Sequence, residues 1–250
     1  MHHTNTRRRL DQALVDHGLS PTRSQARDLV KRGCVRVDGR TITKASLMVG
    51  AAAAIEVEPG AQPFVSRGGL KLAAALDAFG FSPVGRICLD VGASTGGFTD
   101  VLLRRGARLV HAIDVGRGQF SPVLAADARV VVREGFDARA LSRDEITEPL
   151  GAIVADVSFI SLTKALGSAL RLAGPDAWLA ALIKPQFEVG PDDVGSGGIV
   201  RSEEARERAV GNVRDWLARQ PGWLVAGVVP SPITGGGGNH EVLIGARRHE

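Results

Sequence analysis

The chain has 250 residues, of which 44% are hydrophobic and 23% are charged. This composition is typical of a globular protein, and no apolar run approaches the ~20 residues that a membrane-spanning helix requires. The N-terminal stretch is basic but lacks the apolar region of a secretory signal, so we expect a cytoplasmic protein without membrane association.

The positive charge is concentrated near the N-terminus. Residues 1–65 carry 10 Lys/Arg and 6 Asp/Glu, whereas residues 66–250 carry 21 of each. A small basic module joined to a neutral larger domain indicates an appendage that binds a polyanion. The alternative is an Arg-rich surface that is merely solvated.

The first 58 residues predict two short helices followed by strands. Thr6 can cap a helix through "RRRLDQALVDH" that ends at Gly18, and "SPTRSQARDLVKR" predicts a second helix that ends at Gly33. "CVRVDGRTI" alternates around an Asp38-Gly39 hairpin turn, and "AAAAIEVEP" adds a further strand.

The second predicted helix has two distinct faces. Its basic residues Arg23, Arg27 and Lys31 are four apart, and its apolar residues lie opposite them: Ala26, Leu29 and Val30. This spacing predicts a basic stripe backed by a hydrophobic core.

The same segment resembles the alpha-L RNA-binding module, which is named for a small-subunit ribosomal protein. The matching residues are Leu10-Asp11, Leu14, Gly18-Leu19, Arg23-Ser24, Ala26, Leu29-Val30, Gly33 and Val35 to Gly39. The resemblance implies that the second helix and the Gly33–Gly39 turn contact RNA phosphates. The residues assigned to this contact are Arg7, Arg8, Arg23, Arg27, Lys31, Arg32 and Arg36. Because Phe64 is the only aromatic residue among the first 65, we expect recognition of RNA backbone and shape rather than base stacking on a sheet.

The rest of the chain predicts a larger α/β domain. "SRGGLKLAAALDAFGF" predicts a helix with Ser66 as N-cap and Gly80 as its stop. Seven strands then follow, with helical stretches between most of them: "RICLDV", "RLVHAIDV", "ARVVVRE", "GAIVADVSF", "AWLAALIKP", "WLVAGVVP" and "EVLIGAR". The pattern predicts a mostly parallel sheet with helices on both faces and an antiparallel pair at one edge. We therefore expect an RNA-binding domain over residues 1–60, a linker over 61–66 and the larger domain over 67–250.

The glycine-rich turn in "LDVGASTGGFTD" (89–100) follows the first of these strands. It is neither a Walker loop nor G-x-G-x-x-G. A carboxylate at Asp90 would repel the pyrophosphate of a dinucleotide, whereas S-adenosylmethionine has no phosphate and carries a sulfonium and an ammonium. The turn therefore favours S-adenosylmethionine. A dinucleotide, or glycines that only allow a helix to pack closely, remain as alternatives.

The predicted cofactor-binding residues come from this turn and from later strand ends. Asp114 ends the next strand, where its carboxylate can accept both ribose hydroxyls, and the amides of residues 93–97 can hold the cofactor's own carboxylate. The predicted set from the turn is Asp90, Gly92, Ala93, Ser94, Gly96, Gly97 and Phe98.

Four charged residues converge on the same edge of the predicted sheet. Asp156 and Lys184 end the fourth and fifth strands, Glu241 starts the last strand, and Lys71 lies in the helix ahead of the first. Ligands of open parallel sheets bind outside the carboxyl ends of the strands. A lysine beside an apolar strand needs a carboxylate, and Asp156 is the expected partner of Lys184. The alternative for each residue is a purely structural salt bridge.

These motifs together resemble the TlyA family, which joins an alpha-L module to an FtsJ-like methyltransferase and is often labelled haemolysin. The motifs are "VSRGGLKL", "LDVGASTGGFTD", "VADVSFISL", "KPQFEVG" and "SPITGGGGNHE", and the resemblance runs from about Arg7 to Arg247. It implies a Rossmann-like class I methyltransferase fold, S-adenosylmethionine as cofactor, and methylation of a ribose 2′-hydroxyl in ribosomal RNA. Separately, the six histidines show no metal-ligand spacing and the reaction needs no metal, and we expect a monomer.

If the Lys–Asp–Lys–Glu tetrad of that family is transferred to the matching positions of this sequence, the catalytic residues would be Lys71, Asp156, Lys184 and Glu241. Lys184 would take the hydroxyl proton or stabilise the alkoxide. Asp156 would orient Lys184, while Lys71 and Glu241 would position the ribose and its phosphate.

The sequence departs from the family at "VGRGQFSPVLAAD", at "REGFDARAL" and at the loop "GGGGN". In the second of these, Asp137 stands where relatives have an asparagine, as the acceptor for the adenine amine. A cytolysin and a non-catalytic RNA-binding assembly factor remain as alternative functions.

Overall fold

The computed structural model describes residues 7–20, 22–58, 60–61, 64–235 and 238–249. The chain divides into two compact units, Met1–Ser66 and Arg67–Glu250. Within the described ranges, none of the helices has the length and apolar character needed to cross a membrane.

The first unit packs two helices against short strands. The helices are α1 (Leu10–Asp16) and α2 (Arg23–Lys31), and the strands are β1 (Arg8–Arg9), β2 (Val35–Val37), β3 (Arg40–Thr41), β4 (Met48–Val49) and β5 (Ile55–Val57). β3, β2 and β5 form a three-stranded antiparallel sheet, and β1 pairs with β4. The core lies between the helices and the sheet and includes Leu10, Leu14, Leu29 and Val35.

The basic stripe and the hairpin turn of this unit are confirmed. Arg23, Arg27 and Lys31 are exposed, whereas the opposite face of α2 is buried. Asp38 and Gly39 have positive φ angles of 50° and 75°, as the tight turn between β2 and β3 requires.

The predicted start of the first helix is wrong. Arg8 and Arg9 are extended because they pair with Val49 and Met48, so α1 begins only at Leu10. The predicted cap, Thr6, lies outside the described residues.

The second unit alternates helices and strands around one sheet. It contains α3 (Gly68–Phe79), β6 (Ile87–Val91), α4 (Gly97–Arg104), β7 (Leu109–Asp114), α5 (Pro122–Ala125), β8 (Val130–Glu134), β9 (Leu150–Ala155), α6 (Leu162–Ala165), α7 (Gly167–Leu172), β10 (Ala173–Ile183), α8 (Pro185–Glu188), α9 (Glu203–Ala218), β11 (Trp223–Pro230) and β12 (Val242–Arg248). The strand order is β11-β12-β10-β9-β6-β7-β8.

The predicted fold class is confirmed. β10, β9, β6, β7 and β8 pair in parallel, and β12 is antiparallel to both β10 and β11. The central strands are continuous apolar runs because both of their faces are covered.

The helix before the sheet ends as predicted but begins later. Gly80 closes α3 in the left-handed conformation, with φ of 62°. The prediction of Ser66 as N-cap is wrong: the first turn closes on the carbonyl of Arg67, which accepts from the Leu70 amide at 3.0 Å.

The topology brings distant segments to one edge of the sheet. The carboxyl ends of the parallel strands lie at this edge, and β12 starts there because it runs the opposite way. Ile183 of β10 pairs with Val242 of β12, so Lys184 and Glu241 follow at adjacent positions beyond the paired region.

Candidate active site

The glycine turn after β6 holds two strand ends closely together. Gly92 has φ of 80°, and a Cβ there would lie 2.8 Å from the carbonyl oxygen of Asp156. Gly96, with φ of 93°, is the N-cap residue of α4, and a Cβ there would lie 2.6 Å from Leu124 Cδ1. Glycine at these positions therefore allows both close packing and the turn conformation.

Several amides of this turn donate inside the protein. The amides of Ala93 and Gly96 donate to Ile113 O (3.1 Å) and Ala93 O (2.7 Å), and the Ser94 amide donates to Asp114 Oδ2 (2.7 Å). The turn therefore leaves fewer amides for a ligand carboxylate than the sequence predicts.

Asp114 is fixed by backbone donors at the end of β7. Its Oδ1 accepts from the Gly116 amide at 2.7 Å, and its Oδ2 accepts from Ser94 as described above. A carboxylate oxygen can accept more than one hydrogen bond, so Asp114 retains acceptor capacity for hydroxyl groups of a ligand.

Asp90 lies beneath the turn and is fully buried. Its Oδ2 accepts a hydrogen bond from Thr99 Oγ1 at 2.6 Å, and its Oδ1 is buried without a hydrogen-bond partner. Burial raises the pKa of Asp90 to about 7, against the hydrogen bond from Thr99 that lowers it, and the nearby charges of Asp156 and Asp114 raise it further. Asp90 is therefore a buried group with a raised pKa, whereas the sequence argument took it as an ionised carboxylate within the turn.

A cavity of about 480 Å³ opens beside the turn. Gly92, Ser94, Asp114 and Asp137 from the predicted cofactor set lie on its wall, and Asp156 lies at the same cavity. Five further members of the set do not line it: Asp90, Ala93, Gly96, Gly97 and Phe98. The wall combines carboxylates with the apolar side chains of Phe136, Val157 and Ile160. Three carboxylates (Asp114, Asp137 and Asp156) and one guanidinium (Arg139) line the cavity, so its wall is net acidic as well as apolar, which suits a cationic nucleoside better than a pyrophosphate.

Asp137 and Arg139 both line the cavity and are bound to each other. Its Oδ1 accepts from the Arg139 amide at 2.9 Å, and its Oδ2 lies 2.6 Å from Arg139 Nη2. These contacts with Arg139 lower the pKa of Asp137. Asp137 is therefore a charged acceptor at neutral pH.

The loop 116–120 completes the wall and is anchored by Glu134, which the sequence analysis missed. The Glu134 carboxylate accepts from the amides of Gly118 (2.8 Å), Gln119 (2.9 Å) and Phe120 (3.1 Å). Gln119 lines the cavity, and its Oε1 accepts from Ser94 Oγ at 3.2 Å. The pattern of apolar and polar residues in a strand or loop does not reveal that a carboxylate will accept hydrogen bonds from three consecutive backbone amides, so Glu134 could not be found from the sequence.

The four residues of the predicted tetrad form two ion pairs. Lys184 Nζ lies 2.7 Å from Asp156 Oδ1, which is the partner expected from the sequence, and donates to Ser158 Oγ at 2.8 Å. Lys71 Nζ lies 2.5 Å from Glu241 Oε2, although the two residues are 170 positions apart.

The two pairs differ in accessibility. The side chains of Lys71 and Glu241 are 9% and 2% exposed, whereas those of Lys184 and Asp156 are 11% and 21% exposed. Asp156 and Ser158, the two partners of Lys184, both line the cavity. Lys184 is therefore held at the cavity, while Glu241 borders a second cavity of about 480 Å³ between α9 and β11.

Phe159 is a second feature that the sequence analysis missed. It lines the cavity with Ser158, is 90% exposed, and has a positive φ of 65°. Its ring lies 5.2 Å from that of Phe187. An exposed aromatic ring in a rarely populated backbone conformation is typical of a functional position.

The seven residues predicted to bind RNA are all exposed in the first unit. Several of them are paired with carboxylates: Arg8 with Asp16 at 2.6 Å, Arg32 with Asp28 at 3.0 Å, and both Arg23 and Arg27 with Asp11.

Two known families match the chain. The FtsJ-like methyltransferase family matches residues 64–248, and the S4 domain family matches residues 8–55.

Individual relatives are similar over nearly the whole chain. The chain is 45% identical to the 16S/23S rRNA (cytidine-2′-O)-methyltransferase TlyA of Mycobacterium tuberculosis over 242 residues, which covers 96% of this chain and 90% of the relative. It is 39% identical to Hemolysin A of Brachyspira hyodysenteriae, covering 94% and 98% of the two chains. A hemolysin-named solved structure from Streptococcus thermophilus is 35% identical, with a TM-score of 0.75 and coverage of 99% and 90%.

Proposed function

Because the chain belongs to the TlyA family of FtsJ-like methyltransferases, we propose that it transfers a methyl group from S-adenosylmethionine to a ribose 2′-hydroxyl of ribosomal RNA. The name of the Mycobacterium tuberculosis relative supports cytidine as the target nucleotide. Ribosomal RNA also implies that the protein acts in the cytoplasm. The observation that carries the proposal is the Lys184–Asp156 ion pair at the edge of the acidic cavity.

The residues of the cavity fit a cationic nucleoside cofactor. Asp114 retains acceptor capacity for ribose hydroxyls, Asp137 is an acceptor for an adenine amine, and Phe136 and Ile160 offer apolar contact to the base. When bound, S-adenosylmethionine supplies an electrophilic methyl group on a sulfonium.

Lys184 is the residue that we propose acts on the 2′-hydroxyl. An ammonium at this point stabilises the negative charge that develops on the oxygen, and the neutral amine can accept the hydroxyl proton. Asp156 and Ser158 fix the position of the Lys184 side chain through the contacts at 2.7 and 2.8 Å. Asp156 is therefore a positioning residue.

The Lys71–Glu241 pair has a different proposed role. A buried lysine paired at 2.5 Å with a buried carboxylate is a rigid element, which we assign to positioning the ribose and its phosphate. The exposed ring of Phe159 offers a face on which the base of the target nucleotide can stack.

The test is methyl transfer from labelled S-adenosylmethionine to unmodified small and large ribosomal subunits. We expect Lys184→Ala to lower the rate by at least about 100-fold, the usual range for a general acid or base, while binding of the cofactor and the subunits is retained. Lys164→Ala, which removes an exposed lysine of α6, is the matched control and should leave the rate unchanged. Wild-type protein without transfer to either subunit, or undiminished transfer by Lys184→Ala, would contradict the proposal. Lysis of liposomes by the purified protein would support a cytolysin instead.

A further inference from the structure

A fully buried carboxylate lies at the centre of the basic surface of the first unit. Asp11, in α1, is 0% exposed and accepts hydrogen bonds from three arginines. Arg9 donates twice, from Nε to Oδ1 (3.0 Å) and from Nη2 to Oδ2 (3.1 Å). Arg27 Nε donates to Oδ2 at 2.8 Å, and Arg23 Nη2 donates to the same oxygen at 3.3 Å.

The three guanidinium groups are anchored on their inner side and open on their outer side. The side chains of Arg9, Arg23 and Arg27 are 43%, 46% and 50% exposed. Because three positive charges surround one negative charge, the cluster keeps a net positive charge. Arg27 donates to Asp11 through Nε, so its two terminal nitrogens are not used in that hydrogen bond.

We propose that Asp11 is a positioning residue that holds Arg9, Arg23 and Arg27 as one preorganised phosphate-binding group for RNA. The proposal rests on the proposed function in taking ribosomal RNA as the ligand. Arginine forks bind phosphate oxygens with defined geometry, and a side chain that is already fixed loses less conformational freedom on binding. Arg9, which the sequence analysis did not assign to RNA, belongs to this group.

The decisive variant is Asp11→Asn, because charge neutralisation and positioning predict opposite changes in its affinity for RNA. If Asp11 only neutralised charge, its removal would make the surface more positive and RNA would bind more tightly. If Asp11 positions the arginines, removal should weaken binding about tenfold at fixed salt, as expected for the loss of one or two phosphate contacts, and should lower the salt dependence of the affinity.

Asp16→Asn is the matched control. It removes one negative charge from the same helix at an exposed carboxylate that pairs with Arg8. We expect RNA to bind this variant as tightly as the wild type or more tightly.

A second variant covers the case in which Asp11→Asn fails to fold. Arg27→Lys keeps the positive charge beside Asp11 but removes the fork, and we expect it to weaken RNA binding about fivefold. Binding is measured by titrating the full-length protein against unmodified ribosomal subunits over a series of salt concentrations. In methyl transfer, both variants should raise KM for the subunits and leave kcat unchanged.

The outcomes separate this inference from the proposed function. Wild-type affinity in folded Asp11→Asn, or in Arg27→Lys, would overturn the positioning role even if methyl transfer is normal. Weakened binding in both variants, with a wild type that binds subunits but transfers no methyl group, would support the positioning role of Asp11 and refute the proposed methyltransferase activity. A wild type that does not bind ribosomal subunits would overturn both.

Discussion

Asp90→Asn tests whether the buried acid under the glycine turn is neutral. Asn has nearly the same shape as a protonated Asp, and its amide oxygen can still accept the hydrogen bond from Thr99 Oγ1. The variant therefore removes the ionisable group and changes the packing very little.

The expected change in stability follows from the pKa of Asp90, which is about 7 in the folded protein and 3.8 when unperturbed. Below pH 4 the group is protonated in both states and its contribution to stability is fully present. Between pH 4 and 7 the unfolded chain releases the proton and the folded chain does not, so the wild type loses roughly 1.4 kcal/mol of stability per pH unit. Above pH 7 the loss is complete. Because an asparagine side chain does not titrate, we expect the Asp90→Asn variant to gain about 3 kcal/mol relative to the wild type between pH 5 and pH 8.

The assay is urea unfolding followed by tryptophan fluorescence at several pH values. Trp178, Trp216 and Trp223 are the only tryptophans, and all lie in the second unit, so the signal reports on the unit that contains Asp90. Asp127→Asn is the control: its pKa is lowered to about 2 by Arg129, so its difference from the wild type should be constant between pH 5 and 8. A constant difference for Asp90→Asn as well would refute the assignment of a raised pKa.

Two further variants test the walls of the cavity. Gly92→Ala would place a Cβ 2.8 Å from a backbone carbonyl oxygen at a φ of 80°, so we expect a loss of at least about 2 kcal/mol in urea unfolding. Gly80→Ala, with φ of 62° and open space, should cost only about 1 kcal/mol, and an equal cost for both would contradict the close-packing argument. Glu134→Ala frees the three amides of the loop 118–120, and we expect calorimetry to show about tenfold weaker binding of S-adenosylmethionine, with unchanged affinity for ribosomal subunits. Glu148→Ala, which breaks an exposed ion pair, should bind the cofactor as the wild type does; a similar loss there would argue against a specific role for the loop.

The fold was predictable because its signals are local or strongly periodic. The apolar runs of β6, β9 and β10 are long enough to indicate buried parallel strands, and their order along the chain limits the possible topologies. The start of α1 was not predictable in this way. Pairing between Arg8–Arg9 and Met48–Val49 depends on residues that are 41 and 39 positions away, and this pairing overrides local helix propensity.

The candidate site was predictable where a charged residue stands at a strand end. Asp156 and Lys184 follow adjacent parallel strands, so their pairing could be expected from topology alone. Asp90 shows the limit of such reasoning, because its position in β6 was clear but its side chain points into the core, where burial changes its protonation. Glu134 and Phe159 depend on loop conformations that residue patterns do not specify.

The position of β12 in the sheet determines which parts of the proposed site can form first while the ribosome synthesises the chain. The residues that line the cavity by the glycine turn all lie between positions 91 and 165, so they leave the ribosome well before Glu241. Until β12 inserts between β10 and β11, the ammonium of Lys71 has no Glu241 to pair with. A growing chain can therefore contain every residue of the proposed cofactor cavity before it can form the Lys71–Glu241 pair, and the insertion of one internal strand adds the last residue of the proposed site.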